Sequence, residues 1–77
     1  MNQRAEYVRH HTDDVTFSGV DVAEDSASGK AVRVRFEDEL IWVPYSQVKK
    51  IERDPKMKGQ DKITVAVWWA KKAGLAE

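Results

Sequence analysis

The chain contains no cysteine, and only two prolines and four glycines occur among its 77 residues. Without cysteine there is no disulfide framework, no thiolate zinc site and no cysteine nucleophile. No apolar stretch approaches the roughly 20 residues that a membrane-spanning helix needs. The polar start at residues 1–6 also lacks the apolar region of a signal peptide. We therefore expect a cytoplasmic protein.

Charge of one sign is not in excess, since 13 basic and 13 acidic residues give a formal net charge of zero. The two signs are unevenly distributed. Residues 1–46 carry five basic and nine acidic side chains, whereas residues 47–77 carry eight and four. This pattern predicts an electric dipole rather than a polycation or a protein coated in carboxylates.

The length allows one small domain, because two shorter pieces would each be too small to bury a core. Residues 1–14 contain little periodic apolar surface, and we predict a flexible or loosely docked N-terminal arm there. From residue 15 onward the apolar pattern becomes regular. We therefore assign residues 15–77 to a single small β domain.

Alternating apolar residues predict five short strands. The clearest alternation occurs at Val32, Val34 and Phe36, which we expect to face the core while Arg33 and Arg35 face solvent. A glycine within the first pattern predicts a β-bulge at Gly19. The five predicted strands cover residues 15–22, 32–36, 40–43, 48–51 and 63–67.

Turn-forming residues separate these strands. We expect a hairpin turn at 24–29, one turn of 3₁₀ helix at 44–47, and a charged loop at 54–61. Residues 68–75 predict a short terminal helix closed by Gly74. The fold class is therefore mainly β, either a small five-stranded SH3-like barrel or a strongly bent antiparallel sheet with a short C-terminal helix. OB-like closure also fits the pattern.

Two polar clusters contain residue types found in metal or catalytic sites, and neither predicts such chemistry. His10, His11, Asp13 and Asp14 lie on the predicted arm, where no rigid surroundings would fix ligand geometry. The carboxylates at 37–39 lie in a predicted hairpin turn, where hydration keeps carboxyl groups from acting as general acids. We expect no enzyme activity, no metal and no cofactor.

Basic and aromatic residues provide the best candidate binding surface. Aromatic rings stack on bases and lysines neutralise phosphates, so this composition suits a protein or a nucleic-acid partner. For Trp42 and Trp68, however, we favour packing in the core beneath the helix, as is usual for tryptophan in a small domain. The predicted binding residues are Trp42, Tyr45, Lys49, Lys50, Arg53, Lys56 and Lys58.

Three segments resemble short accessory proteins encoded by tailed bacteriophages. Residues 41–48 include a tryptophan-x-proline-x-serine-glutamine sequence. They are followed by the strand at 63–65 and by a tryptophan-x-alanine-lysine-lysine-x-glycine-leucine sequence at 68–75. The chain has Tyr45 where lysine is common in these proteins, and Ala66 where proline often occurs. The resemblance implies a binding function in the cytoplasm of a host cell and implies no reaction.

Three functional hypotheses follow. The first is a non-enzymatic phage-like accessory protein that binds and modulates a host or phage nucleic-acid-processing or defence complex, including as an inhibitor of host immunity. The second is direct binding of single-stranded nucleic acid. The third is capture of a nucleotide signal by a homo-oligomer. No membrane partner is expected.

Overall fold

The computed structural model describes residues 7–9 and 13–75, and it confirms the mainly β class with one short C-terminal helix. All five predicted strands are present. Residues 7–9, from the predicted arm, form a further strand that pairs antiparallel with the next one. The elements are β1 (Tyr7–Arg9), β2 (Asp14–Asp25), β3 (Ala31–Phe36), β4 (Glu39–Pro44), the 3₁₀ turn η1 (Tyr45–Gln47), β5 (Val48–Glu52), β6 (Asp61–Ala66) and α1 (Val67–Lys72).

The long strand β2 connects the two halves of the sheet. Its first half pairs with β6 and its second half pairs with β3, both antiparallel. The strand order is β4-β3-β2-β6-β5, with β1 on β2 outside this path. A closed barrel would require pairing between the terminal strands β4 and β5, and the described strands show none. The sheet is therefore not closed, and it corresponds to the predicted bent antiparallel sheet with a short C-terminal helix.

The predicted bulge at Gly19 is confirmed. The register between β2 and β6 shifts between Ser18 and Val20, and Gly19 adopts a φ of 69°. Side chains with a Cβ rarely adopt this left-handed conformation. The extra residue lets Val20 return to the inner face after Phe17, although the two are an odd number of positions apart. Both are fully buried.

Buried side chains from both halves of the sheet belong to one hydrophobic cluster, so the sheet curls over a single core. In β3, the predicted inward residues Val32, Val34 and Phe36 are all buried. The ring of Phe36 meets the ring of Phe17 from β2 edge to face, with 5.3 Å between the centroids. Such a contact adds to the stability gained from apolar burial.

The last predicted strand is one residue too long, because Val67 begins α1 instead of ending β6. The Val67 amide donates a hydrogen bond to the Asp13 carbonyl oxygen at 2.6 Å. At the other end, Gly74 has a φ of 80° and the Leu75 amide donates to the Ala70 carbonyl oxygen at 2.8 Å. This closure is typical of helices that end at glycine, and it buries Leu75.

Candidate functional site

The outer side of the β3–β4 hairpin exposes apolar and basic side chains next to one another. Trp42 and Leu40 keep 47% and 52% of their surface exposed. In the register of the two strands, Arg33 lies opposite Trp42 and Arg35 lies opposite Leu40. We call these four residues the β3–β4 outer face.

Arg33 is held in place by two neighbours. Its guanidinium carbon lies 5.7 Å from the centroid of the Trp42 ring, within the range of a cation–π contact. Its Nη2 atom lies 3.2 Å from a carboxylate oxygen of Glu24. Within the described part of the chain, the buried Nε atom of Arg33 has no hydrogen-bond partner. The two contacts orient the side chain in advance.

The two exposed tryptophans contradict the expected packing beneath the helix. Trp42 lies on a terminal strand, and α1 packs against β6 and β2 instead. Trp68 is 55% exposed because the buried positions of α1 are taken by Val67 and Ala70. Trp69 is partly buried and packs against the core.

Tyr45 joins the 3₁₀ turn to the hairpin between β2 and β3. Its ring is partly buried against the core, and its hydroxyl donates a hydrogen bond to the Asp25 carboxylate. That hydrogen bond, assisted by burial and by the negative charge of Asp25, raises the pKa of Tyr45. The Tyr45 amide also donates to the Lys30 carbonyl oxygen at 2.9 Å. Tyr45 therefore acts as a structural contact rather than as a free stacking surface.

The predicted basic residues divide between β5 and the loop that follows it. Lys49 and Lys50 are exposed on β5, where Lys50 lies 3.5 Å from Glu52. Lys56 and Lys58 are exposed in the loop. These side chains form a solvated basic region at the opposite end of the strand order from Trp42.

Arg53 stabilises the sheet. Its Nη1 atom donates a hydrogen bond to the Val22 carbonyl oxygen on β2 at 3.0 Å. The same arginine also lines an open depression of about 410 Å³ with Lys56 and Lys62, together with the acidic residues Glu52 and Asp54. None of the described residues that line this depression is aromatic. The predicted binding residues thus do not form one continuous surface.

Asp61 is a buried polar residue that the sequence does not reveal, because its position predicts a charged loop at 54–61. It is 6% exposed at the start of β6. Its carboxylate accepts hydrogen bonds from the amides of Val22 and Asp54, at 2.9 and 2.8 Å. The only signal in the sequence is the position of Asp61 two residues before the apolar alternation of the last strand.

The predicted polar arm lies partly outside the described residues, which exclude His10 and His11. Asp13 is exposed and Asp14 begins β2. Within residues 7–9 and 13–75, no group of three or more histidine, cysteine or acidic side chains is placed to hold a metal ion.

Comparisons with protein-family models, curated proteins and solved structures found no match to this chain. The resemblance to phage accessory proteins therefore stays a sequence-based prediction. Across the part of the chain that the structure describes, no helix has the length and apolar character needed to cross a membrane.

Proposed function

We propose that this chain is a non-enzymatic binding module that docks a protein partner through the β3–β4 outer face. The observation that carries the proposal is the half-exposed ring of Trp42 with the guanidinium of Arg33 beside it at 5.7 Å. Tryptophan and arginine contribute most of the binding energy at many protein interfaces. Because Arg33 is already oriented, docking immobilises fewer free side chains.

The chemistry of this surface defines the partner that it fits. Leu40 and Trp42 offer apolar area on the outer side of the hairpin, and the exposed Arg35 offers a guanidinium opposite Leu40. A complementary partner presents an apolar pocket flanked by carboxylates, since arginine pairs with carboxylates in bidentate geometry.

The resemblance to phage accessory proteins suggests what this partner is. We propose a protein subunit of a host or phage nucleic-acid-processing or defence complex, with binding in the host cytoplasm that alters the activity of that complex. This part of the proposal rests on the sequence resemblance alone.

The proposal is tested by comparing two exposed tryptophans. The tagged chain recovers partners from a host extract, and each purified partner is then titrated calorimetrically with the wild type, Trp42→Ala and Trp68→Ala. We expect Trp42→Ala to weaken binding by about 30-fold, as at an interface hot spot. Trp68→Ala serves as the matched control and should bind as the wild type does.

A partner that binds Trp42→Ala and Leu40→Ala as tightly as the wild type would contradict docking through the β3–β4 outer face. Circular dichroism of each variant establishes that it remains folded before its affinity is compared. Charge reversal at Arg35, in Arg35→Glu, gives an independent measurement: if the partner is acidic, binding weakens and depends less on salt.

Single-stranded nucleic acid is the second candidate partner. It is favoured by the exposed Lys49 and Lys50 on β5 and by the three basic side chains that line the depression beside them. Such a surface would contact phosphates, because the described residues that line the depression include no ring for base stacking. Labelled oligonucleotides that bind at low salt, and bind less to Lys49→Glu/Lys50→Glu, would support this candidate. No binding at low salt would remove it.

A further inference from the structure

The strand β4 has one edge that no other described strand covers. The Tyr45 hydrogen bond shows which way the backbone amide and carbonyl groups of β4 point. The Tyr45 amide donates to the Lys30 carbonyl oxygen, where the β3–β4 ladder continues. Because hydrogen-bonding residues alternate along an antiparallel strand, Ile41 and Val43 also bond toward β3. The amide and carbonyl groups of Leu40 and Trp42 therefore point to the uncovered edge.

The two terminal strands of the sheet differ in how they protect this kind of edge. On β5, Lys49 and Lys50 place charges on the strand, which is a common defence against unwanted pairing. On β4, the charged residue is Glu39 at the start of the strand, and residues 40–44 contain none. Pro44 has no amide hydrogen, and its position in the alternation places the missing donor on the uncovered edge. The edge at Leu40 and Trp42 is thus open to another strand.

We propose that a second copy of this chain adds its β4 to this edge, antiparallel, with the twofold axis at Ile41. In this register Leu40 of each copy lies opposite Trp42 of the other copy. Each pair exchanges both of its backbone hydrogen bonds, because both residues direct these groups outward. The two open sheets become one continuous sheet across the axis.

The self-complementarity of the strand argues for a second copy as the occupant. The symmetry places Leu40 opposite Trp42 and Glu39 opposite Val43, with no like charges opposite each other across the axis. Pairing of two β5 strands would instead bring lysines together. A register centred on Trp42 would place Leu40 opposite Pro44, which cannot donate. Only one strand of each copy takes part in the contact. We therefore expect the dimer to bury less than about 1,200 Å² of accessible surface and to form with micromolar affinity.

The inference goes beyond docking of a partner and does not depend on it. In the dimer, the two β3–β4 outer faces lie side by side on one sheet surface. The exposed rings of Trp42 and the side chains of Leu40 then form one apolar strip with an arginine pair at each end.

Sedimentation equilibrium of the full chain, over low to high micromolar concentration, tests the proposal. We expect the wild type to approach twice the monomer mass. Leu40→Glu and Trp42→Lys should each weaken association by about tenfold, since each change removes an apolar cross-strand pair twice. The double variant Leu40→Glu/Trp42→Lys should recover dimerisation, because this register alone places the new glutamate opposite the new lysine.

Crosslinking provides a second measurement in a chain with no natural cysteine. Ile41→Cys should form an intermolecular disulfide readily on oxidation, whereas Lys50→Cys on β5 should not. A wild type that stays monomeric throughout the concentration range would overturn the proposal. So would association that Leu40→Glu and Trp42→Lys leave unchanged, or a β4 edge that becomes protected only when another protein is present.

Discussion

The Asp61 carboxylate accepts a hydrogen bond from the Val22 amide at 2.9 Å. Val22 lies beyond Val20, the last residue of β2 that pairs with β6. At this point no described strand neighbours β2 on the β6 side, and side chains replace one. Asp61 satisfies the Val22 amide, and the Arg53 guanidinium satisfies the Val22 carbonyl at 3.0 Å. The backbone groups of Val22 on this edge of β2 are therefore satisfied by side chains instead of by a neighbouring strand.

Replacing this carboxylate should destabilise the fold. We expect Asp61→Asn to lower the free energy of unfolding by about 2 kcal/mol, because the asparagine side chain offers one acceptor oxygen for two backbone amides, of which that of Val22 is buried. The measurement is urea unfolding followed by circular dichroism. Asp38→Asn, which makes the same change in charge at an exposed turn, should leave stability nearly unchanged. Equal stability of the two variants would contradict the structural role of Asp61.

The pKa of Tyr45 gives a prediction about high pH. The hydrogen bond to Asp25 raises the pKa of Tyr45 above its usual value of about 10. Because the folded state favours the protonated hydroxyl, this contribution to stability is fully present below pH about 10 and is lost as pH rises through the folded-state pKa. The ultraviolet absorbance of tyrosinate measures the titration directly, and Tyr45→Phe identifies the signal.

Asp25→Asn provides the control for this titration. Without the carboxylate, the Tyr45 hydroxyl loses its charged acceptor and the neighbouring negative charge, so its pKa should fall back toward the usual value. A titration curve identical to that of the wild type would show that the Tyr45–Asp25 contact is not formed in solution.

Replacing Gly19 should destabilise the fold through backbone strain and not through steric overlap. A Cβ at this position would meet no atom within 4 Å, yet the φ of 69° is unfavourable for alanine. We expect Gly19→Ala to destabilise the fold by about 1 kcal/mol, measured by thermal unfolding. Gly19→Asn should cost less, since asparagine tolerates the left-handed conformation. Equal melting temperatures for wild type and Gly19→Ala would mean that the bulge is absent or rearranged.

The adjacent tryptophans of α1 should differ in their effect on stability. Trp69 packs against the core, whereas Trp68 is 55% exposed. We expect Trp69→Ala to cost about 2 kcal/mol and Trp68→Ala less than about 0.5 kcal/mol in chemical unfolding. A larger loss of stability for Trp68→Ala than for Trp69→Ala would mean that α1 packs on β6 through a different face. The same pair checks that Trp68→Ala is a suitable control for binding.

Features that depend on neighbouring residues were predictable from the sequence. The alternation at Val32, Val34 and Phe36 fixed the inner face of β3, and Gly19 marked the bulge because only glycine enters that conformation freely. The 3₁₀ turn directly after Pro44 was likewise predictable from the local sequence at 44–47. In each case the determinant lies within a few residues of the structure it produces.

Features that depend on distant residues were not predictable. Asp61 is buried because its acceptor groups meet an amide 39 positions earlier in the chain. Trp42 is exposed because the helix covers other strands, which its own hydrophobicity does not reveal. Whether the sheet closes depends on where β4 and β5 lie in space, and alternating residues specify only which face of each strand is buried. The location of the candidate site therefore required the structure.

The pairing of β2 with β6 also bears on how the chain is made. These strands are held together by contacts such as the 2.7 Å hydrogen bond between Thr16 and Thr64, separated by 48 positions. On the ribosome, β2 is synthesised first, and 48 further positions separate Thr16 from its partner residue on β6. This half of the sheet therefore cannot assemble until β6 has emerged, and a chain terminated before β6 exposes one side of β2 to aggregation.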